Sequence, residues 1–395
     1  MAIENFDANV LYALVEQMAY PRLIGTPGEK QVIAQLKNEF RKRGFDPTDV
    51  ISQQIRPTTW MAGLFLQLLN GTISSIIIGI LLTWIFVGVI YCWYWFIAFL
   101  LATFFFASQS DCTKWTKGTV KTENLFVRLP ARKEKKGSIL FSSHFDTKSQ
   151  AFPTFVRAAF YVIGILLGVP FLLVTFVNII IVTLGHPDNI GLFILAQVFG
   201  WPAGICFFCL LFNYVGNKSM GAADNASGIA IVLELARYFK NKGGLDHYEI
   251  IFASFAAEEV GVVGSALWAK EYAANMDPTA SFIFNFDMVG KPGIRYMGHI
   301  GFRKRPTNRK LNPLIETIAK KLNVSLSSFW MPIGAMTDRF PFAKRKWEGV
   351  DFISRAIALK AHTTKDTMEN IDGEFLAETC EIARISAEWI DQGKI

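Results

Sequence analysis

Gly221-Ala-Ala-Asp-Asn-Ala-Ser-Gly228 is the stretch from which the chain is best read. Its small residues let backbone and ligands approach closely, and it opens directly into a helical run, Ile229-Ala-Ile-Val-Leu-Glu-Leu-Ala-Arg237. Taken alone, Asp224 or Asn225 is simply a helix N-cap. The flanking sequence says more. Upstream, Ser138-Ile-Leu-Phe-Ser-Ser-His-Phe-Asp146 reads as a buried strand ending in a His-x-Asp pair. Downstream, His247 to Phe255 reads as a strand entering Ala256-Ala-Glu-Glu-Val-Gly261, followed by a helix to Met276 and a strand from Ser281 to Asp287. Further out, the pattern predicts helices over 5–20, 28–44 and Leu311–Leu322. It also predicts strands at Asp49–Ile55, Asn124–Pro130 and Val350–Ser354, and a terminal helix from Gly373. Strands that alternate with helices and end in polar loops predict an α/β fold. The expected form is a three-layer α/β/α sandwich around a mixed, mostly parallel sheet.

Two blocks depart from this soluble pattern. Of 395 residues, 51% are hydrophobic and only 18% charged, and 35 are phenylalanine, which is too apolar for an ordinary soluble enzyme. The excess lies in 57–110, which contains no Asp, Glu, Lys, Arg or His, and in 158–215. A bilayer-spanning helix needs about 20 apolar residues, so each block is long enough for a hairpin of two spans. The second turns at His186-Pro-Asp-Asn189, and Pro170 and Pro202 are kinks such helices tolerate. The expected organisation is one catalytic domain assembled from 1–56, 111–157 and 216–395, interrupted by transmembrane hairpins at 57–110 and 158–215.

The net charge is +7. The cations flank the apolar blocks, which points to a membrane surface and not to nucleic acid. Cys92, Cys206 and Cys209 lie in the apolar blocks and only Cys112 and Cys380 outside them, so no disulfide framework is implied. The N-terminus carries no basic-then-apolar signal segment. Asn70-Gly-Thr72 matches a glycosylation sequon but sits inside an apolar block.

The residues that carry chemistry are His144, Asp146, Asp224, Glu258, Glu259, Asp287 and His362. They fall at strand ends or in the loops beyond, where open α/β sheets build their sites. Nitrogen and oxygen donors without cysteine suit zinc, manganese or cobalt. In His144-x-Asp146 the carboxylate can hold the imidazole's other N–H. In Glu258-Glu259 one carboxylate can bind metal while its neighbour takes a proton from water. Singly, each motif is more often a cap or a surface charge; together, and in this order, they are specific.

On these motifs the sequence resembles the di-zinc aminopeptidases of metallopeptidase family twenty-eight, clan MH, whose relatives include glutamate carboxypeptidase and the transferrin receptor. The matching stretches are His144-Phe-Asp146, Gly221 to Gly228, Ala257-Glu-Glu-x-Gly261 with Gly264-Ser265, Asn285-Phe-Asp-Met-Val-Gly290, His362-Thr-x-x-Asp366-Thr and Arg22-x-x-Gly-Thr26. The resemblance covers the chain outside the two apolar blocks. It implies two Zn2+ ions bridged by Asp224, one completed by His144 and Asp287, the other by Glu259 and His362. It also implies Glu258 as general base, Asp146 orienting His144, and a cis peptide bond after Asp224. The chain departs from the family at Thr337-Asp338-Arg339-Phe340, where relatives commonly carry Ser-Asp-His, so the contacts to the far end of the substrate are left open.

The expectation is therefore a membrane-embedded exopeptidase acting on a peptide substrate, an aminopeptidase in the first instance. A carboxypeptidase or other amidohydrolase on the same site is the alternative, or a non-catalytic receptor; the oligomeric state stays open. The three catalytic pieces must share one side of the bilayer. Arg41, Lys42, Arg43, Arg56, Lys114, Lys117, Lys121, Lys148, Arg157 and Lys218 flank the blocks, while the His186–Asn189 turn has no Lys or Arg. The positive-inside rule then places the catalytic domain in the cytoplasm, on a cell's inner membrane. Short polar links, Thr147–Arg157 and Gly216–Ala223, further suggest an active site near the membrane face of the domain.

Overall fold

The computed structural model describes residues 5–109, 111, 116–332 and 336–394; Cys112 and Lys114 lie outside the described residues. The chain forms two compact units. One comprises Met1–Thr59, Trp115–Ser149 and Gly216–Ile395, the other Trp60–Lys114 and Gln150–Val215. The apolar unit takes in residues from 150 onward, earlier than the sequence reading placed it, because its third long helix already begins at Thr154.

The first unit is built on a nine-stranded sheet. Its strands are β1 (Ile51–Ile55), β2 (Thr122–Leu129), β3 (Gly137–His144), β6 (Tyr248–Phe255), β7 (Ser281–Phe286), β8 (Ile294–Ile300), β9 (Arg305–Pro306), β10 (Leu326–Met331) and β11 (Glu348–Phe352). A separate ribbon pairs β4 (Ser149–Gln150) with β5 (Val215–Gly216). The sheet order is β1-β2-β6-β3-β7-β11-β8-β10, with β9 on β8. The four central strands β6, β3, β7 and β11 are mutually parallel, while β1, β2 and β8 join antiparallel neighbours. The mixed, mostly parallel sheet is thus as expected, but β8 and β10 were not foreseen. β8 follows the Lys291–Pro292 cis bond and Gly293, and β10 is an edge strand in which only Phe329 is buried; neither forms the long apolar run of a central strand.

Both sheet faces are covered by helices. The protein's helices are α1 (Ala8–Met18), α2 (Pro27–Lys42), α3 (Thr59–Phe86), α4 (Trp93–Gln109), α5 (Thr154–Thr183), α6 (Ile190–Leu210), α7 (Ser227–Lys242), α8 (Val263–Glu271), α9 (Leu311–Leu322), α10 (Phe340–Lys344), α11 (Arg355–Ala358) and α12 (Gly373–Asp391). Side chains alternate across β3. Phe141 points to one face and stacks among Phe239 of α7, Phe252, Phe284 and Phe286 at centroid distances of 5.4–6.3 Å. Leu140 points to the other, into a cluster with Ile251, Ile283, Trp268 of α8 and Phe342 of α10. Burying each such ring contributes about 1.5–3 kcal/mol, and the central strand is fixed from both sides.

The second unit is α3 to α6, packed through Ile76, Ile80, Leu81, Trp84, Phe171, Ile179 and Phe207. Close approach depends on small residues: a Cβ on Gly200 would sit 2.8 Å from the Phe171 ring. At the α5–α6 turn, Trp84 Nε1 donates to Asp188 Oδ2 at 2.8 Å, and Asn189 Oδ1 caps α6. The sequon residue Asn70 is buried and donates to Tyr161 Oη. Gly63–Phe86, Val89–Gln109, Thr154–Thr183 and Ile190–Leu210 are long and apolar enough to cross a membrane.

Candidate metal centre

The loops beyond the parallel strands converge at their carboxyl ends. β3 and β6 stay paired to the last residue, with Phe145 N–H donating to Phe255 O at 3.0 Å. That pairing brings the His144–Asp146 segment against the turn that follows β6. The Asp146 carboxylate accepts the backbone N–H of Glu258 at 3.2 Å and of Glu259 at 3.1 Å, so one side chain fixes both glutamates. His144 Nδ1 faces the Asp146 carbonyl oxygen at 3.1 Å, whereas the nearer carboxylate oxygen stands 3.8 Å away. The imidazole is therefore oriented by the backbone of Asp146; its carboxylate, assigned that task from sequence, holds the glutamate turn instead.

Asp224 lies in the turn that enters α7, and the Asp224–Asn225 peptide bond is cis. Asn225, not Asp224, acts as the helix cap. Its Oδ1 accepts Gly228 N–H at 3.0 Å while its Nδ2 donates to Phe286 O at 2.8 Å. A Cβ on Gly228 would lie 2.4 Å from both of those oxygens, so only glycine fits. The Asp224 carboxylate is left to face the histidines. Asp287 follows β7 and is tied by its N–H to Phe352 O of β11 at 2.9 Å. Ala257, Met288 and His362 all adopt left-handed φ of 59–61°. Non-glycine residues held there cost about 1–3 kcal/mol each, and all three are site residues or their immediate neighbours.

Two triads of donors result, His144–Asp224–Asp287 and Asp224–Glu259–His362, sharing Asp224. His144 Nε2 stands 3.3 Å from Asp224 Oδ1 and 3.6 Å from Asp287 Oδ1. His362 Nε2 stands 3.3 Å from Asp224 Oδ2 and 3.0 Å from Glu259 Oε2. His144 Nε2 and Asp287 Oδ1 are buried and make no hydrogen bond. Orphaned polar atoms of this kind cost free energy unless something else satisfies them. Ligand atoms about 2.0–2.1 Å from one tetrahedral ion are themselves about 3.3 Å apart. The spacing and the donor set both fit two metal ions joined through Asp224.

The charges agree. Burial opposes protonation of His144, but Glu258, then Asp224 and Asp287, outweigh it and push its pKa well above the usual value. His362 is raised in the same way by Glu259. Burial would raise Asp224, yet the two histidines hold it far below the carboxylate range. Burial would also raise Glu259, but His362 and Lys148 hold it at about 2. Glu258 is pushed well above the normal range, first by burial and then by Glu259 and Asp287. A pocket whose carboxylates raise both imidazoles while the imidazoles hold Asp224 and Glu259 low favours positive charge at its centre.

Sequence reasoning named seven site residues, and the structure brings all seven together. It missed the roles of four others. Asp366 Oδ1 and Oδ2 accept the N–H groups of Ala223 and Asp224 at 2.8 and 3.0 Å. Arg22, fully buried, donates to the carbonyls of Phe145, Gly221, Tyr20, Met220 and Met18, joining the amino-terminal segment to two site loops. Lys148 pairs with Glu259. Asp338 is buried, with neither carboxylate oxygen hydrogen-bonded, and burial pushes it up to about 7. The adjacent Arg339 turns to Asp351 and is buried there with Thr337.

An α/β domain whose strand ends gather two linked nitrogen and oxygen triads belongs to the two-metal class of folds. Residues 178–386 match the model of peptidase family M28, and the chain belongs to that family. Over 173 residues it is 27% identical to aminopeptidase YwaD of Bacillus subtilis (strain 168), covering 42% of this chain and 36% of that one. It spans about a third or less of the curated relatives compared. Among solved structures it is similar to an aminopeptidase from Aneurinibacillus sp. strain AM-1, with TM-score 0.57, 15% identity and coverage of 98% and 94% of the two chains. A glutaminyl cyclase from an Acidobacteriales bacterium gives TM-score 0.56, 14% identity and coverage of 100% and 97%. At these identities the likeness establishes the fold.

Proposed function

We propose that the protein is a membrane-embedded di-zinc exopeptidase, an aminopeptidase that removes amino-terminal residues from peptides. The observation that carries this reading is the pair of buried triads sharing Asp224, with Glu258 beside them on a turn clamped by Asp146. Two zinc ions held there would polarise the scissile carbonyl and activate a water. The chain's own part is positional. His144, Asp224 and Asp287 would hold one ion, and Asp224, Glu259 and His362 the other. Glu258, on the turn beside both triads, would take the proton from the attacking water and return it to the leaving amine. Two complete triads favour this reading over chemistry needing a single ion.

The purified full chain tests it. It should release the chromophore from amino-acid anilides and lose that activity when the substrate's amino group is acetylated. Cleavage of blocked substrates at the same rate would point to another amidohydrolase.

We further read the apolar unit as two transmembrane hairpins in one multi-pass membrane protein, with the 1–56, 111–157 and 216–395 pieces forming the catalytic domain. Phe86, Phe104, Leu101 and Leu166 are each at least 66% exposed, a lipid-facing surface in character. Of the flanking cations, Arg43 and Lys148 are taken up by Glu39, Glu234 and Glu259. Lys42 also pairs with Glu39, and the whole set of flanking cations, with Arg41, Arg56, Lys117, Lys121, Arg157 and Lys218, supplies the charge bias that favours a cytoplasmic catalytic domain. Protease cleavage of that domain from outside sealed cells would overturn the orientation.

A further inference from the structure

Glu259 is already held by a cation of the protein's own. Lys148 Nζ lies 2.8 Å from Glu259 Oε2 and 3.1 Å from the Glu259 carbonyl oxygen. The Lys148 backbone N–H donates to Glu259 Oε1 at 3.2 Å. Both carboxylate oxygens are thus engaged by one residue, and the pair is shielded, with the side chains 18% and 2% exposed. Oε2, the oxygen that faces His362 Nε2 at 3.0 Å, is the same atom the lysine occupies. The other triad has the opposite surroundings. Among the described contacts His144 meets the carboxylates of Asp224 and Asp287 at 3.3 and 3.6 Å, and neither His144 nor Asp287 meets a lysine or arginine. Asp146 sits two residues beyond His144, with its Oδ1 3.8 Å from Nδ1.

We propose that Lys148 makes the two metal positions unequal, so that His144–Asp224–Asp287 holds its ion firmly and Asp224–Glu259–His362 holds the second weakly and exchangeably. The inference rests on the two-metal reading above. An ion bound by Glu259 and His362 stands beside a like-charged ammonium and must share or displace its contact with Oε2. The first position meets no such ammonium among the contacts described. For a divalent ion a few ångströms from a lysine in a partly shielded site, Coulomb repulsion weakens binding on the order of a hundredfold. The second position then fills only when free metal is plentiful, and any activity that needs both ions follows metal supply.

The test is a zinc titration of the metal-stripped full chain in detergent, read by competition with a chelating dye. Wild type should bind two zinc ions in separate steps. His362→Gln should remove the weak step and keep the tight one, while Asp287→Asn should remove the tight step. Lys148→Gln should tighten the weak step by about tenfold or more without moving the tight one, and Lys148→Arg should keep the gap. An unchanged weak step in Lys148→Gln overturns the proposal, as does loss of the tight step in His362→Gln. If Lys148→Gln does not fold, both of its steps vanish, and wild type with the His362 and Asp287 variants still decides which position is weak. Failure of wild type to bind zinc at all overturns this proposal together with the metal reading. Two unequal zinc sites without anilide hydrolysis leave it standing and overturn only the proposed activity.

Discussion

Asp366 holds the backbone of Asp224: its Oδ2 accepts the Asp224 N–H at 3.0 Å, while its Oδ1 accepts that of Ala223 at 2.8 Å. The residue shared by both triads is therefore positioned by a carboxylate 142 residues away in sequence. Asp366→Asn turns an N–H₂ toward one of those donors and releases half the clamp. Because Asp224 serves both positions, both metal affinities should fall together, by about 10–100-fold, as for other outer supports of metal ligands. Zinc titration of the variant checks this; weakening at one position alone would contradict the shared role.

Glu258→Gln keeps the shape of the side chain and removes its basicity. Turnover should fall by a few hundredfold or more, within the range for losing a general base, with zinc content unchanged. Metal analysis alongside initial rates separates this from a binding defect. Wild-type rates in the variant would exclude Glu258 as the base.

Arg22 gives its guanidinium to five backbone carbonyls in a fully buried setting. Arg22→Met leaves those oxygens unsatisfied, and losing several charged hydrogen bonds costs about 3 kcal/mol or more. Thermal unfolding in detergent should show a fall of several degrees, with Arg22→Lys intermediate because it cannot replace a five-donor fork.

The acid limb of stability should involve Glu39. Burial would raise its carboxyl, but Lys42 and Arg43 outweigh it and hold the pKa below the usual 4.5. Arg43 in turn bridges to Glu234 at 3.0 Å. A folded-state pKa below the unfolded value adds stability that is present above about pH 4.5 and is lost as pH falls through the folded value. Glu39→Gln should therefore unfold more easily at neutral pH and show a flatter loss below pH 4.5. Equal acid slopes in wild type and variant would contradict it.

Much of this was legible because each ligand sits in a local pattern. His144, Glu258, Glu259 and Asp287 each end a strand whose apolar run is plain, and Asp224 lies in a run of small residues that only a tight turn uses. What escaped was set by tertiary contact. Nothing near Lys148 in sequence announces Glu259, 111 residues on. Arg22 reads as one more cation until its carbonyl partners from three segments are seen. Asp146 was assigned to His144 because they are neighbours, yet pairing of β3 with β6 gives its carboxylate to the glutamate turn. β8 and β10 escaped because a sheet-edge region carries no continuous apolar signal.

The most direct measurement is the zinc content of the purified full chain at saturation, by mass spectrometry of the intact protein, for wild type and for Asp224→Asn. Two linked triads sharing one carboxylate predict two zinc ions per chain in wild type and impaired binding at both positions in the variant. A single zinc ion in wild type, or two retained with full affinity in Asp224→Asn, would contradict the shared two-metal centre.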